Sequence, residues 1–434
     1  MRRETIDVRK KGVRRETIDA SHVSCLLSKT PRVSRLTSHA QPAPAVPWPK
    51  VKQHSMKLED ACILIADCPH STAPDEGVGY PLVRTPNVGN GRLVFEKMHR
   101  VSRSVYELRN KRAKPQAGDL IYAREAPAGN VALITEGQEV CLGQRTVLLR
   151  PNPKIADSAF LTYFLLAPEQ KHRLLGTATG ATVTHVNIPV IRSLEISLPP
   201  LPIQRRIADI LSAYDDLIEN NRRRIAILEE AARRIFEAEI VNGNWEYEPV
   251  NALVEVNPEV PKPTCDGIRY IPMSALSTSG MTVDLSDSEI RAQSTSVRFL
   301  NGDVLLARIT PCLENGKTAY VNFLADGEIG CGSSEFIVLR GKRVSPYFTY
   351  CLTRLEAFRG IAIKSMIGAS GRQRVQLSCF SDFQIQVPDD ATLRHFDATV
   401  APMFDQIGIL LKQSAALAVA RDMLLPRLMK GDVA

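Results

Sequence analysis

Apolar or seam residues recur at a seven-residue step along one stretch of the chain: Ile207, Tyr214, Asn221, Leu228 and Ile235. Ile210, Leu217 and Ala231 stand three positions after members of this series, and Leu211, Ile218, Ile225 and Ala232 stand four after. Charged side chains fill the space between, including Arg222, Arg223, Arg224, Arg233 and Arg234. Such a stripe predicts a long amphipathic helix. Pro202 suits its first turn, where the missing N–H is not needed. The "VNGN" at 241–244 supplies a stop. About 38 residues rising 1.5 Å each span roughly 57 Å, longer than an ordinary domain core accommodates. Asn221, if buried in the apolar seam, would fix register at some cost in stability.

The same pattern returns 189 residues later as Phe396, Met403, Leu410, Leu417 and Leu424, with no gap. Pro199 likewise matches Pro388. Pro402 has no counterpart in the first copy and predicts a break between a short helix and a long one. Upstream of each helix the repeat continues. "GDLIYARE" at 118–125 matches "GDVLLARI" at 302–309, and "GQRTVLLR" at 143–150 matches "SSEFIVLR" at 333–340. "FLTYFL" at 160–165 matches "YFTYCL" at 347–352, and "GAT" at 180–182 matches "GAS" at 368–370. In these parts the offset drifts between 184 and 190. Insertions collect in loops, so the two globular units share a scaffold and differ in their loops.

The chain is therefore an internal duplication: unit, helix, unit, helix. Antiparallel pairing of the helices brings the two ends of the second unit side by side. Parallel pairing would force it to connect points roughly 57 Å apart. The antiparallel arrangement is expected to hold the globular units at opposite ends of a rigid spacer. One chain then imitates a two-fold dimer of the kind that reaches two half-sites on DNA.

Composition adds little to this picture. The 434 residues are 44% hydrophobic and 24% charged, as in ordinary soluble domains. No apolar run approaches the roughly 18 residues of a membrane helix. The net charge of +8 lies entirely before Met56, where 12 Lys and Arg face 4 Asp and Glu; the remainder carries 43 of each. Any basic footprint must therefore be local. The first 55 residues repeat "RRETID" at 2–7 and 14–19 and end in "AQPAPAVPWP". They have no apolar signal core and are expected to be a disordered extension, with Met56 opening the folded part. A transit peptide or a DNA-grasping basic arm are the alternatives. The nine cysteines show no CxxC or zinc spacing, which fits buried free thiols in a reducing cytosol.

No complete catalytic or metal motif occurs. "PCLENGKT" at 311–318 ends like a P-loop, but Pro311 occupies the first glycine position. GxGxxG, GxSxG and HExxH are absent. Asp119 and Asp303 each follow a glycine before an apolar run, as turn residues opening a strand do. His70, His172 and His185 are isolated in the sequence, with a recognition role left open for His185.

The run "QRRIADILSAYDDLIENNRRRIAILEEAARRIF" at 204–236, its proline-rich lead-in and the terminal "LLPRLMKGDV" at 424–433 resemble the specificity subunit of type I restriction-modification enzymes. "CLGQRTVLLRP" at 141–151 and "YIPMSAL" at 270–276 add to the likeness, which covers about residues 56–434. The resemblance implies an α+β fold with two similar target recognition domains of mixed β-sheet and helices. A long antiparallel helix pair, a coiled coil, separates them in a pseudo-two-fold arrangement. The implied boundaries are an extension at 1–55, domains at 56–200 and 244–389, and spacer helices at 201–243 and 390–434. Each domain would read one half of a bipartite sequence in double-stranded DNA. The helices would set the spacing and dock modification subunits, typically two, which restriction subunits then join. S-adenosylmethionine, ATP and magnesium would act on those partners, leaving this chain without cofactor, metal or catalytic residue and in the cytoplasm.

Base edges are read chiefly by Arg, Lys, Asn and Gln, while Ser, Thr and backbone N–H add phosphate contacts. In the first unit this selects Arg84, Asn87, Arg124, Arg145, Thr182, Thr184 and His185. In the second it selects Arg308, Thr310, Asn315, Lys317, Ser333, Ser334, Arg372, Gln373 and Arg374. The arginines on the long helix suit either a solvated face or contact with spacer phosphates or an acidic partner surface. A coiled-coil adaptor that joins proteins without reading DNA is the competing function, and the charge neutrality of 56–434 favours it.

Overall fold

The computed structural model describes residues 54–176, 185–263, 267–292, 296–369 and 371–431. Unit one contains β1 (His54–Lys57), β2 (Cys62–Asp67), β3 (Tyr80–Val83), β4 (Gly91–Arg92), β5 (His99–Val101), β6 (Leu120–Ala123), β7 (Val131–Leu133), β8 (Cys141–Leu142), β9 (Thr146–Pro151) and β10 (Glu195–Leu198). Unit two contains β11 (Glu246–Pro249), β12 (Val254–Val256), β13 (Ile268–Ile271), β14 (Glu289–Arg291), β15 (Val297–Phe299), β16 (Val304–Ala307), β17 (Thr318–Tyr320), β18 (Gly330–Gly332), β19 (Phe336–Gly341) and β20 (Gln384–Val387).

The strand orders repeat. One sheet runs β2–β9–β6–β7 in unit one, with β4 added at its edge, and β12–β19–β16–β17 in unit two. A second sheet pairs β3 parallel to β8 and antiparallel to β5; its counterpart pairs β13 parallel to β18 and antiparallel to β14. A two-stranded ribbon closes each unit, β1 with β10 and β11 with β20. Each copy thus contains a mixed sheet. The first ribbon extends back to His54, two residues before Met56, so Met56 lies inside a strand paired with Ile196.

Local chemistry explains why the copies agree. Gly118 and Gly302 take φ of +89° and +90°, a turn that favours glycine, just before Asp119 and Asp303. Each aspartate is buried and accepts the backbone N–H three residues earlier. Each also receives a two-pronged Arg, Asp119 from Arg150 at 2.8 and 2.8 Å and Asp303 from Arg340 at 2.7 and 2.7 Å. The carboxylates therefore do more than start a strand: they tie β6 to β9 and β16 to β19. Burial without those partners would be costly.

The first long helix runs Leu201–Phe236, continues through a π-helical turn at Glu237–Val241, and has Pro202 in its first turn. The second runs Asp390–Lys430, capped by the Asp389 side chain accepting from Thr392 N–H. Pro402 does not divide it. The carbonyl it leaves unbonded, four residues back, belongs to Ala398, which is exposed like Pro402, and an exposed carbonyl can be hydrated without breaking the helix. The helices pair antiparallel. Phe236, near the end of the first, packs edge-on against Phe396, near the start of the second, with ring centroids 5.7 Å apart. Further along, Asp215 pairs with Arg421.

Ile207, Asn221, Phe396 and Leu410 of the heptad series are buried. Tyr214, Leu228, Ile235, Met403, Leu417 and Leu424 are only half-buried. The deepest line lies beside them, at Ala208, Leu211, Asp215, Ile225, Glu229, Ala232 and Phe236 on one helix and Phe404, Ile407, Leu425 and Leu428 on the other. Two causes act together: a straight α-helix drifts about 20° per heptad from a strict seven-residue repeat, and the globular units cover part of each helix. Among the described residues no helix is long and apolar enough to cross a membrane.

Candidate nucleic-acid interface

In each unit three chain segments meet at one place, held by the same backbone bonds. In unit one Arg124 N–H donates to the Arg145 carbonyl at 2.9 Å, and Val186 N–H donates to the Arg124 carbonyl at 3.0 Å. In unit two Arg308 N–H donates to the Glu335 carbonyl at 2.8 Å, and Val375 N–H to the Arg308 carbonyl at 3.0 Å. The guanidinium Nε of Arg124 reaches Val186 O at 2.9 Å, as that of Arg308 reaches Val375 O at 3.4 Å. Just beyond lie the cis peptides Ala126–Pro127 and Thr310–Pro311.

On this shared frame the side chains differ. In unit one Glu125 accepts from Arg145 Nε at 2.9 Å and lies 2.9 Å from His185 Nδ1. Arg124 Nη2 lies 2.7 Å from His185 Nε2, and its Nη1 reaches Asp67 at 3.2 Å. A guanidinium only donates, so His185 accepts at Nε2 and donates from Nδ1 to Glu125. In unit two Glu335 accepts from Arg374 Nε at 2.9 Å and from its Nη2. That hydrogen-bonded Arg374 holds the Glu335 carboxyl below the usual carboxylate range. Arg145 is 62% exposed and Arg374 48%, whereas Glu125 and Glu335 are 16% and 23% exposed.

Equivalent helices carry the two units on the long pair. The Tyr163 hydroxyl, on helix Ser158–Leu166, donates to buried Asp215 at 2.6 Å, and Arg421 grips the other oxygen. The Tyr350 hydroxyl, on helix Pro346–Arg354, donates to buried Glu229 at 2.6 Å; Met281 N–H donates to the same carboxylate at 2.9 Å. Burial first, and then the neighbouring carboxylate, raise both tyrosine pKa values, so both hydroxyls stay protonated donors. Asp215 and Glu229 are two heptads apart, about 21 Å along the helix. The two units therefore pack toward opposite ends of the helix pair: unit one against the first part of the first long helix, from Gln204 to Asp215, and unit two against its last part, from Ile225 to Phe236.

The family described as "Type I restriction modification DNA specificity domain" matches residues 53–230. The "Type I restriction enzyme MjaIX specificity subunit" of Methanocaldococcus jannaschii is 23% identical over 346 residues, 73% of this chain and 78% of that protein. The EcoAI specificity subunit of Escherichia coli is 31% identical over 152 residues, 33% of this chain and 25% of its own length. The crystal structure of the S subunit of a type I restriction-modification system from M. genitalium has the same fold, with a TM-score of 0.50 at 14% identity. The match covers 87% of this chain and 96% of that one. Residues 53–230 thus match the type I restriction-modification DNA specificity domain, and the chain is similar to type I specificity subunits.

The residues selected from the sequence fall into distinct groups. Arg124, Arg145 and His185 converge in unit one, and Arg308, Thr310, Gln373 and Arg374 in unit two, where Thr310 Oγ1 both donates to Gln373 O and accepts from Gln373 N–H. Asn315, Ser334 and Arg372 are exposed. Others are occupied by their own loops. Asn87 is buried, accepts from Arg84 N–H and donates to Val94 O, so its amide edge is not offered to a base. Lys317 donates to the carbonyls of Met273 and Ser274, so its ammonium is already engaged within its own unit. Ser333 accepts from Glu335 N–H. Arg124 itself is buried, with its donors taken up by Asp67, His185 and Val186 O, so it braces the site instead of presenting a free guanidinium. Arg84 lies beside Gly143, and its buried Nε lacks a hydrogen-bond partner. Thr182 and Thr184 lie outside the described residues.

On the long helix Arg222 and Arg223 pair with Glu219, and Arg233 and Arg234 with Glu230, a solvated charge lattice. Sequence reasoning missed Glu125 and Glu335, because it searched for donors alone. It also missed the Tyr163–Asp215 and Tyr350–Glu229 pairs. A signal existed for the tyrosines: "FLTYFL" and "YFTYCL" keep Thr-Tyr at matched positions.

Proposed function

We propose that this chain reads a bipartite sequence in double-stranded DNA, unit one contacting one half and unit two the other. The observation that carries the reading is the duplicated strand order mounted, through equivalent tyrosines, on an antiparallel helix pair. A pseudo-two-fold protein suits a split target. The helix pair acts as the ruler: the docking points are about 21 Å apart, about six rises of 3.4 Å along duplex DNA. Arg145, Arg372 and Arg374 supply the local basic side chains that bulk charge does not.

The chain supplies recognition and no catalysis. Two modification subunits dock on the helix pair and bring S-adenosylmethionine, and restriction subunits bring ATP and magnesium. Its place of work is the cytoplasm, where the DNA is. The adaptor reading draws on the charge neutrality of residues 56–434. A gel shift with modification subunits present separates the two. Sequence-selective binding that weakens steeply with salt supports DNA reading. Binding without preference among sequences, or no binding, overturns it in favour of the adaptor.

A further inference from the structure

We infer that three equivalent positions in each unit form its specificity-determining set: Glu125, Arg145 and His185 in unit one, and Ile309, Glu335 and Arg374 in unit two. This rests on the DNA-reading function proposed above. The backbone bonds that join the three segments are the same in both units, as are Arg124 and Arg308 beside them. At these three positions the side chains change in character. A constant frame with variable contents is what one scaffold needs to read two different sequences.

The chemistry of each set names what it reads. A carboxylate accepts from an exocyclic amine, cytosine N4 or adenine N6, and an arginine donates to guanine O6 and N7. Glu125 is held by two donors, Arg145 and His185, so one of its oxygens is freed for a base amine when exposed Arg145 turns to a guanine or a phosphate. In unit two the carboxylate has moved to the position of Arg145, the cation to that of His185, and Ile309 stands where Glu125 does. Ile309 can offer only apolar contact, which suits a thymine methyl group. The two half-sites therefore differ in sequence, and amine-bearing bases occupy different places within them.

The test uses the full subunit assembled with its modification subunits and a set of duplexes in which each base pair of the target is varied in turn. Glu125→Gln and Glu335→Gln keep shape and change an acceptor-only group to a mixed one. Each should lower discrimination at one base pair of its own half-site by about tenfold or more, leaving the other half-site unchanged. An unchanged ratio between cognate and variant duplexes overturns the inference, whether overall affinity holds or falls uniformly. Should a Gln variant fail to assemble, Arg145→Glu and Arg374→Glu, on exposed side chains, are read by the same ratio. Absence of any sequence preference in the unaltered complex would sink the proposed function itself, a result distinct from failure of the three positions.

Discussion

The two globular units share a strand order but are seated on the helix pair differently. Unit two is joined through aromatic rings. Phe348 packs edge-on against Phe236 and Phe396, and Tyr320, Tyr347 and Tyr350 surround Phe404, with centroids 4.9–6.3 Å apart. Among the described residues, ring contacts reach the long helices only there. Unit one meets aliphatic Ile207, Ala208 and Leu211, together with a polar set. Gln204 accepts from Asp157 N–H and donates to Ile155 O and Pro199 O, Asp215 binds Tyr163 and Arg421, and Arg92 pairs with Asp216. Rings gain from area and shape and tolerate small shifts, whereas hydrogen bonds to buried carboxylates demand one geometry. Duplicated surfaces can thus keep a common anchor, tyrosine to carboxylate, while the packing around it diverges.

The largest expected effect breaks the aromatic seat. Phe396→Ala should destabilise unit two and the helix pair by about 3–5 kcal/mol, measured by denaturant unfolding, with loss of assembly near physiological temperature. The equivalent aliphatic change in unit one, Leu211→Ala, should cost about 2–4 kcal/mol. An equal or greater loss at Leu211 would show that the rings are not the stronger seat.

Changes to the anchors come next. Tyr350→Phe should cost about 2–3 kcal/mol, because buried Glu229 is left with the Met281 N–H as donor. Tyr163→Phe should cost about 1–2 kcal/mol, since Arg421 still neutralises Asp215. Paired thermal or urea unfolding of the two variants checks the order, and a reversal would mean that Arg421 does not support Asp215.

Inserting four residues near Ala226 lengthens the first helix by roughly 6 Å between the two anchors. Methylation mapping of host DNA should then report unchanged half-sites with a gap wider by one or two base pairs, the rise being about 3.4 Å per pair. Unchanged spacing in an active complex would remove the helices as the ruler. Exchanging residues 60–197 for the unit of a relative should alter one half-site and spare the other; a change in both would break the modular comparison.

The smallest effects concern the periphery. A chain starting at Met56 loses two of the four pairs between β1 and β10, so it should retain modification activity with a slightly lower melting temperature. Complete loss of assembly would assign the preceding residues a structural part. Arg124→Ala sharpens the account of unit one's face. A bracing side chain, once removed, weakens binding across all sequences and loosens His185, whereas a base-reading one would lose discrimination at a single base pair by about 1–3 kcal/mol. Competition binding distinguishes the two, and uniform weakening is the expected result.

Much of the architecture was legible because periodicity and repetition are properties of the chain alone. The seven-residue step gave the long helix, the gapless repeat gave its twin, and the matched "GD" and "LLR" motifs marked strands that recur in both sheets. The antiparallel sense followed from the length of chain that had to bridge the helix ends. The candidate site was legible only in part. Arginines in matched glycine-rich stretches could be selected as donors. Nothing in the order of residues revealed which guanidinium would be used up inside the protein.

Tertiary structure decided the rest, for physical reasons tied to burial. Polar residues along a helix read as solvent-facing until another element covers them; Gln204, Asp215 and Glu229 became anchors only because the helices bearing Tyr163 and Tyr350 pack there. The line of closest contact moved off the heptad because the two units, as well as the partner helix, cover each long helix. Pro402 was absorbed into a continuous helix because it and Ala398, whose carbonyl it leaves unbonded, are exposed. Arg124 and Asn87 became internal supports, while Glu125 and Glu335 came to the centre of each face, because segments up to 67 residues apart meet there. Hydrophobic spacing is written locally and survives in the sequence; the pairing of charges depends on distances that only the folded chain sets.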